Sequence, residues 1–363
     1  MPLEVSDCSS SELTETERLV EQYLNSFDGK TSFPRSTCCN SSRSLYCKEC
    51  CRLLVPDDAL PRPIYLRRNN GAVNGNSVDD SSNTVHGGKP QRPLMLPFNL
   101  HIILDDRRGS ATGLHAVALL NNEGEMSTQP DDDSLGSVAL IDVANGGIVP
   151  NYSRCDQSCT SVDTTTETNN EQTDTTFLLF PSPGESVPIE SVACKMETLV
   201  VLDCKWTKSS LYRKNANLST LKKVHLTKPP SNTYYWRWHN AGSGCVSTIE
   251  AIFYAAMEVS RLKSKQQSKD QSIEDNLAER NNLIHLLWLF GHQRAATYQA
   301  AERDGIPAPG SEQGKELARS LRKQKGDYAW RSERNKEVGK ILKEECKNMR
   351  ESALNKSKGS PIM

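Results

Sequence analysis

The feature that most constrains this sequence is a short apolar run, Leu199 to Leu202, which ends abruptly at Asp203. The run is continuous and β-branched at its centre, which is typical of a strand covered on both faces, and such strands belong mostly to parallel sheets. Ligands bind outside the carboxyl ends of strands in open α/β sheets. The sequence therefore predicts a site where Asp203 and Trp206 follow this strand. The structural alternative is that Asp203 caps the next turn and Trp206 packs in the core.

Three further apolar segments predict the rest of such a sheet. They cover residues 100–104, 138–143 and 177–180. The first is followed by a polar turn and then by residues 110–120, which predict a helix opened by hydroxyl caps. Backbone donors and hydroxyls are concentrated where that loop ends, which suits a carboxylate or a phosphate. Strand, polar loop and helix in this order indicate an α/β fold.

Downstream of the central run, the pattern predicts further regular elements. Ser247 and Glu250 have the spacing of a capping box at the start of a long helix, which explains both residues without a function. The remaining predictions are a helix over 209–224, an aromatic strand over 234–238 and a helix over 283–290.

Composition indicates a folded domain that carries long polar inserts. Only 36% of the 363 residues are hydrophobic, and polar stretches occur near 69–90 and 121–176. The net charge of -1 is unevenly spread: one Arg and eleven acids give -10 over 121–176, while fourteen basic and seven acidic residues give +7 over 315–358. A segment as basic as 315–358 suits a polyanionic partner, although a solvated helix laced with ion pairs is the alternative.

These shifts divide the chain into four predicted parts. They are an N-terminal extension over 1–35, a cysteine knuckle over 36–56, a catalytic domain over 57–298 and a basic tail over 299–363. No run of 18 apolar residues and no signal peptide is found, so neither a membrane span nor secretion is expected. The basic cluster 319–325 is typical of nuclear import, which predicts the nucleus, with the cytosol as alternative. A monomer is expected.

Clustered cysteines in a reducing compartment indicate a metal rather than disulfides. Tetrahedral zinc takes four soft ligands, and the spacing of the cysteines before position 52 offers them. The best three are Cys39, Cys47 and Cys50, with Cys38 or Cys51 as the fourth, because Ser36 occupies the position of a first knuckle cysteine. The alternative is a degenerate knuckle that holds no metal.

Four local patterns resemble one family when they are taken together. They are residues 112–116, 179–182, 203–206 and 246–251. Their order, and the cysteine knuckle before them, resemble the DTW-domain family of tRNA-uridine aminocarboxypropyltransferases over roughly 38–294. The sequence departs from the family signature Asp-x-Thr-Trp, since Lys205 replaces the Thr, and from the knuckle pattern at Ser36.

The resemblance implies a SPOUT-like α/β fold with a mostly parallel sheet and a knotted cofactor site. It also implies transfer of the 3-amino-3-carboxypropyl group of S-adenosylmethionine to N3 of a uridine in the tRNA D-loop. Asp203 becomes the candidate base, or the group that orients the uridine imide. On this view Asp203→Ala abolishes transfer and leaves the fold nearly intact.

The resemblance also implies roles for other residues. The expected cofactor-binding residues are Phe180, Pro181, Ser182, Trp206, Ser247, Thr248 and Glu250. The expected substrate-binding residues are Thr112, His115 and Arg237. Two other functions stay open, a non-catalytic RNA-binding or scaffold protein of the same fold and an RNA methyltransferase that uses the same cofactor.

Overall fold

A computed structural model describes most of the chain, and two compact units can be distinguished in it. One, the sheet unit, comprises residues within 33–229 and 247–290, and the other, the helical unit, those within 1–32, 230–246 and 291–363. The described residues are 14–29, 31–69, 93–121, 136–152, 175–205, 211–236, 245–267, 278, 280–303, 307, 313, 314 and 316. Residues 70–92, 122–135 and 153–174, which make up most of the two predicted polar inserts, and nearly all of the basic tail lie outside these residues.

A parallel sheet of six strands forms the centre of the sheet unit. The described strands are β1 (Ser36–Cys38), β2 (Ser41–Arg43), β3 (Asn99–Leu104), β4 (Val138–Asp142), β5 (Thr176–Leu179), β6 (Ser186–Pro188), β7 (Thr198–Asp203) and β8 (Lys222–His225). β1 and β2 form a separate antiparallel pair, and the other six lie in the order β4-β3-β7-β5-β8-β6 with every neighbouring pair parallel. The mostly parallel α/β fold predicted from the sequence is confirmed.

Helices and short 3-10 turns connect the strands. The described α-helices are α1 (Glu15–Asn25), α2 (Arg62–Asn69), α3 (Leu114–Leu120), α4 (Leu211–Lys214), α5 (Ala216–Ser219), α6 (Thr248–Gln267) and α7 (Trp288–Arg303). The 3-10 turns are Asp57–Ala59, Val143–Asn145, Ile189–Ser191, Ala193–Lys195 and Leu283–Leu287. Within the described ranges, no helix combines the length and apolarity that a membrane crossing requires.

β7 lies inside the sheet because both of its faces are apolar. Leu199, Val200 and Val201 are each at most 3% exposed. Val200 packs with Tyr212 and Leu218, from the α4 and α5 segment, on one face, while α6 contacts the strand as well. The run Leu199 to Leu202 is therefore a buried central strand, as the sequence predicts.

The secondary structure predicted from the sequence differs from the observed structure after β7. Instead of a helix over 209–224, the chain forms α4 and α5 and then β8, because Asn215 starts a new helix by accepting from the N–H groups of Asn217 and Leu218. Residues 222–224 pair with β5, and this tertiary pairing overrides the local helix pattern. Residues 234–236 form no strand, and 237 and 238 lie outside the described residues.

The helical unit is held by buried polar contacts. Thr14 and Glu17 form a capping box at the start of α1. Glu17 also accepts hydrogen bonds from the backbone N–H and the hydroxyl of Ser231, at 2.7 and 2.6 Å. The Arg294 guanidinium lies over the ring of Tyr298, 4.6 Å from its centroid. The contact of Glu17 with Ser231 joins segments that are 214 residues apart in the sequence.

Candidate functional site

The carboxyl ends of β3 and β7 form a crevice because the chain leaves these neighbouring strands toward opposite faces of the sheet. Ile103 of β3 packs in the cluster with Tyr212 of α4, so α4 covers that face after β7. Ile102 points to the other face, where it lies against Gly113 at the start of α3. Such a switch point is where open α/β sheets bind ligands.

Three of the four family-like patterns meet at Asp203, the last residue of β7. Its carboxylate accepts a hydrogen bond from the Gly113 backbone N–H at 2.6 Å and another from the Thr248 hydroxyl at 3.0 Å. The Thr112 hydroxyl accepts from the Ile249 backbone N–H at 3.4 Å. We refer to Thr112, Gly113, Asp203 and Thr248 as the Asp203 junction.

The surroundings of Asp203 change the role expected for it. The residue is 5% exposed, and each of its carboxylate oxygens accepts a hydrogen bond. Both oxygens are therefore engaged with other segments of the chain, which fixes the orientation of the carboxylate. The geometry favours a positioning role for Asp203 over that of a base. These contacts predict that Asp203→Ala also lowers the stability of the fold, which differs from the expectation drawn from the sequence.

Gly113 is the residue that allows the junction to close. A Cβ atom built at this position would lie 2.6 Å from Asp203 Oδ2 and 3.1 Å from Ile102 Cγ2. Any larger residue would therefore displace the carboxylate or the strand. The predicted hydroxyl cap of α3 is wrong, since the N-cap residue is Gly113 and Asp203 supplies the hydrogen-bond acceptor from another strand.

The start of α6 forms half of the predicted capping box. The Glu250 carboxylate accepts from the Ser247 backbone N–H at 2.8 Å, and Glu250 is completely buried. The Ser247 hydroxyl is buried and has no hydrogen-bond partner in the part of the chain that the structure describes. A buried hydroxyl without a partner is costly, and a helix N-terminus offers N–H donors, so this end of α6 fits a polar ligand group.

The loop after β5 is braced by its own polar groups. The Ser182 hydroxyl donates to Glu185 at 3.0 Å, and the Ser182 backbone N–H donates to the Ser186 hydroxyl at 3.1 Å. Phe180 packs against the ring of Tyr212, with centroids 4.4 Å apart. Such bonds support the stiff loop that the prolines and glycine of 181–184 predict.

The remaining predicted site residues lie in different environments. His115 is 1% exposed on α3, with its ring edge-on to Tyr46 at a centroid distance of 5.4 Å. Because it is buried, it does not present a surface to a substrate in this arrangement. Pro181 is exposed. Trp206 and Arg237 lie outside the described residues, so their predicted roles stay predictions.

The four cysteines predicted as ligands lie together. The Sγ atoms of Cys38, Cys39, Cys47 and Cys50 are all within 4.8 Å of one another, a set that can hold a metal ion. Burial raises the pKa of Cys47, but backbone N–H donors from Cys50 and Glu49 outweigh it and lower that pKa, which favours the thiolate that a metal requires. Cys38, and not Cys51, is the fourth member of this set, so the positions of the Sγ atoms favour Cys38 as the fourth ligand.

Hydrogen bonds fasten this knuckle to the loop after β3. The Arg108 guanidinium donates to the backbone carbonyls of Lys48 and Glu49 and forms an ion pair with Asp142 at 2.6 Å. The Lys48 ammonium donates to the Gly109 carbonyl at 3.1 Å. The sequence did not predict these contacts. The pattern that could have indicated them is the polar turn Asp105 to Gly109, which follows a buried strand.

A cleft of about 470 Å³ lies where the knuckle meets the carboxyl ends of β3, β4 and β7. We refer to it as the charged cleft. Its volume falls within the range typical of small-ligand sites. Lys205, the residue that departs from the family signature, lines the cleft. The complete lining is Glu49, Asp105, Asp106, Arg107, Arg108, Gly109, Ala144, Asn145 and Lys205.

Comparison with known proteins gives one match. Residues 136–290 match the family model of the DTW domain. This range includes Asp203 and Thr248 of the Asp203 junction, whereas Thr112 and Gly113 precede it. No curated protein and no solved structure matches the chain. The match over residues 136–290 is consistent with the DTW-domain resemblance that the local patterns indicate.

Proposed function

We propose that this chain, which carries a DTW domain, is a tRNA-modifying transferase that forms 3-(3-amino-3-carboxypropyl)uridine in the tRNA D-loop. S-adenosylmethionine supplies the group: the uridine N3–H proton is lost, a bond forms from N3 to the carbon beside the sulfonium, the carbon–sulfur bond breaks and methylthioadenosine leaves. The observation that carries the proposal is the junction of three family patterns at Asp203, beside the switch point of a parallel sheet.

The residues of the junction act by positioning. Asp203 fixes the start of α3 through Gly113 and the start of α6 through Thr248. This holds the Ser247 hydroxyl and the first N–H groups of α6 at the carboxyl end of the sheet, where they can bind polar groups of the donor. Correct alignment of two reactants is worth an effective molarity of up to ~10⁵ to ~10⁸ M, more than the ~10² to ~10⁴-fold typical of a base.

Other parts of the proposal rest on the family and on the charge pattern. The SPOUT-like knot is supported by an entirely parallel sheet with a switch point between β3 and β7. Zinc in the knuckle is supported by the four close cysteines. Trp206 as a stacking surface, Arg237 as a phosphate contact and residues 315–358 as a tRNA-attracting segment are proposals from the sequence, as are the nucleus and the monomer.

A second candidate function is favoured by Lys205. Because this lysine replaces the Thr of the family signature, the chain could retain the fold and RNA binding without turnover. In that case Asp203 would only stabilise the fold, and S-adenosylmethionine would not be consumed.

One experiment separates these functions and also tests for methyl transfer. Purified protein is incubated with unmodified tRNA and S-adenosylmethionine that is labelled either on the methyl or on the carboxypropyl carbons. Label from the carboxypropyl carbons in RNA supports the proposal, label from the methyl group indicates a methyltransferase, and no label favours the RNA-binding function. A tRNA in which cytidine replaces the D-loop uridines is the control, since cytidine has no N3–H and should take up no label.

A further inference from the structure

The charged cleft contains side chains of both signs. Arg107, Lys205 and Glu49 are exposed at its surface, and Asp105 is partly buried. Arg108 is already neutralised by Asp142 and holds the knuckle, so it is part of the wall. The other charged side chains of the lining are the cations Arg107 and Lys205 and the anions Glu49, Asp105 and Asp106.

This mixture of charges restricts the chemistry of the ligand. The carboxylates repel a phosphate or another polyanion. An apolar ligand would remove water from the charged groups and offer no hydrogen bonds in its place, which costs free energy. A ligand that carries an ammonium and a carboxylate on the same carbon compensates both signs through charge-assisted hydrogen bonds. An α-amino acid group has this arrangement.

We propose that the charged cleft binds the amino-acid end of the S-adenosylmethionine donor, with Lys205 and Arg107 holding its carboxylate and Asp105 its ammonium. The inference rests on the proposed function and names the residues that select the donor. Lys205 follows Asp203 by two positions on the same strand end, so the cleft continues directly from the Asp203 junction. Lys205 thus gains a binding role in place of the Thr of the signature.

The walls of the cleft are fixed before any ligand binds. Asp106 accepts from the Ser110 hydroxyl at 3.1 Å and from the Arg107 backbone N–H at 2.7 Å, which sets the turn that carries Arg107. The Asp105 backbone N–H donates to the Asp203 carbonyl at 3.1 Å. The backbone of this turn therefore loses little entropy when a ligand binds.

The test compares two ligands that differ only in the amino-acid end. Titration calorimetry measures the dissociation constants of S-adenosylmethionine and of methylthioadenosine, which lacks that end, for the full chain. Lys205→Met and Asp105→Asn should each weaken S-adenosylmethionine by ~10-fold or more, the scale of a hydrogen bond to a charged group, and change methylthioadenosine by less than ~2-fold. Lys222→Met and Glu190→Gln make the same charge changes at exposed positions outside the cleft and should change neither constant.

Each other outcome has a defined meaning. If both variants weaken the two ligands equally, or weaken neither, the cleft does not bind the amino-acid end, and the proposed transfer is unaffected. If the unmodified protein binds neither ligand, the proposed function fails and this inference fails with it. Binding of methylthioadenosine to each variant also shows that the variant is folded.

Discussion

The Asp203 junction and the charged cleft lie at the same edge of the sheet and differ in almost every physical respect. In the junction, Asp203 is 5% exposed and is bonded to Gly113 and Thr248. In the cleft, Arg107 and Lys205 are exposed side chains on loops. The junction thus holds its groups in fixed contacts, whereas the cleft leaves charged side chains accessible to a ligand.

The comparison shows that the most characteristic motif residues of a site need not be its reactive ones. A buried carboxylate whose oxygens accept hydrogen bonds is fixed in position, which suits a residue that joins several segments. Groups that contact ligands must keep part of their hydrogen-bonding capacity for them, and loops at the end of a rigid sheet provide this.

Asp203→Ala should break the junction and destabilise the fold. It leaves the buried Gly113 N–H and the partly buried Thr248 hydroxyl without an acceptor, which costs about 3 kcal/mol in the free energy of unfolding. Thermal unfolding should show a fall in Tm of roughly 6 to 12 °C. Asp58→Ala, at an exposed position of the same unit, is the control. A melting curve equal to that of the unmodified protein would return Asp203 to a purely catalytic role.

Gly113→Ala should disturb the junction by displacing the Asp203 carboxylate. The added methyl would lie 2.6 Å from Asp203 Oδ2, and relief of this overlap should lower the free energy of unfolding by about 1 to 3 kcal/mol. Gly109→Ala is a matched control on the same loop, because the nearest atom to its Cβ would be Lys48 Nζ at 3.9 Å. Denaturant unfolding measures both, and equal stability of the two variants would contradict the close contact.

Trp206→Ala tests whether Trp206 contacts a ligand. If Trp206 stacks on the adenine or on the uridine, its loss should weaken S-adenosylmethionine or tRNA by about 1 to 3 kcal/mol, with little change in Tm. Titration with each ligand identifies which one it contacts. Unchanged affinity for both, together with a lower Tm, would show that Trp206 packs in the core.

Truncation after Pro309 tests whether the folded part alone attracts tRNA. Removal of a segment with a net charge of +7 over 315–358 should raise the tRNA dissociation constant and flatten its salt dependence, by a slope of about 0.7 to 0.9 for each phosphate contact that is lost. Turnover at saturating tRNA should change little. An unaltered salt slope would show that this segment makes no phosphate contacts.

Removal of metal should have the smallest effect on donor binding. Elemental analysis should find about one zinc per chain, and a chelator should loosen the knuckle whose carbonyls Arg108 binds. Because only one wall of the cleft depends on the knuckle, the affinity for S-adenosylmethionine should fall by less than ~10-fold, about 1.4 kcal/mol. Protein that is free of metal when purified without chelators would remove the zinc proposal.

The sequence by itself determined the parts of this protein that depend on local pattern. The run Leu199 to Leu202 predicts a buried central strand because continuous apolar residues must be covered on both faces. The spacing of the cysteines before position 52 placed four Sγ atoms in one cluster, since a short chain segment limits how far apart its ligands can lie. Four motifs indicated a resemblance to the DTW-domain family, and residues 136–290, which contain three of them, match the model of that domain.

The tertiary structure alone decided what the residues of the site do. The hydrogen-bond partners of Asp203, Gly113 and Thr248, lie 90 and 45 residues away along the chain, and no local pattern indicates that one carboxylate serves both. The charged cleft likewise needs the knuckle and three strand ends to meet, so neither its volume nor its mixture of charges is encoded in any one segment. Burial and hydrogen bonding are properties of the assembled fold, and they separate the positioning residue Asp203 from exposed Lys205, two positions later.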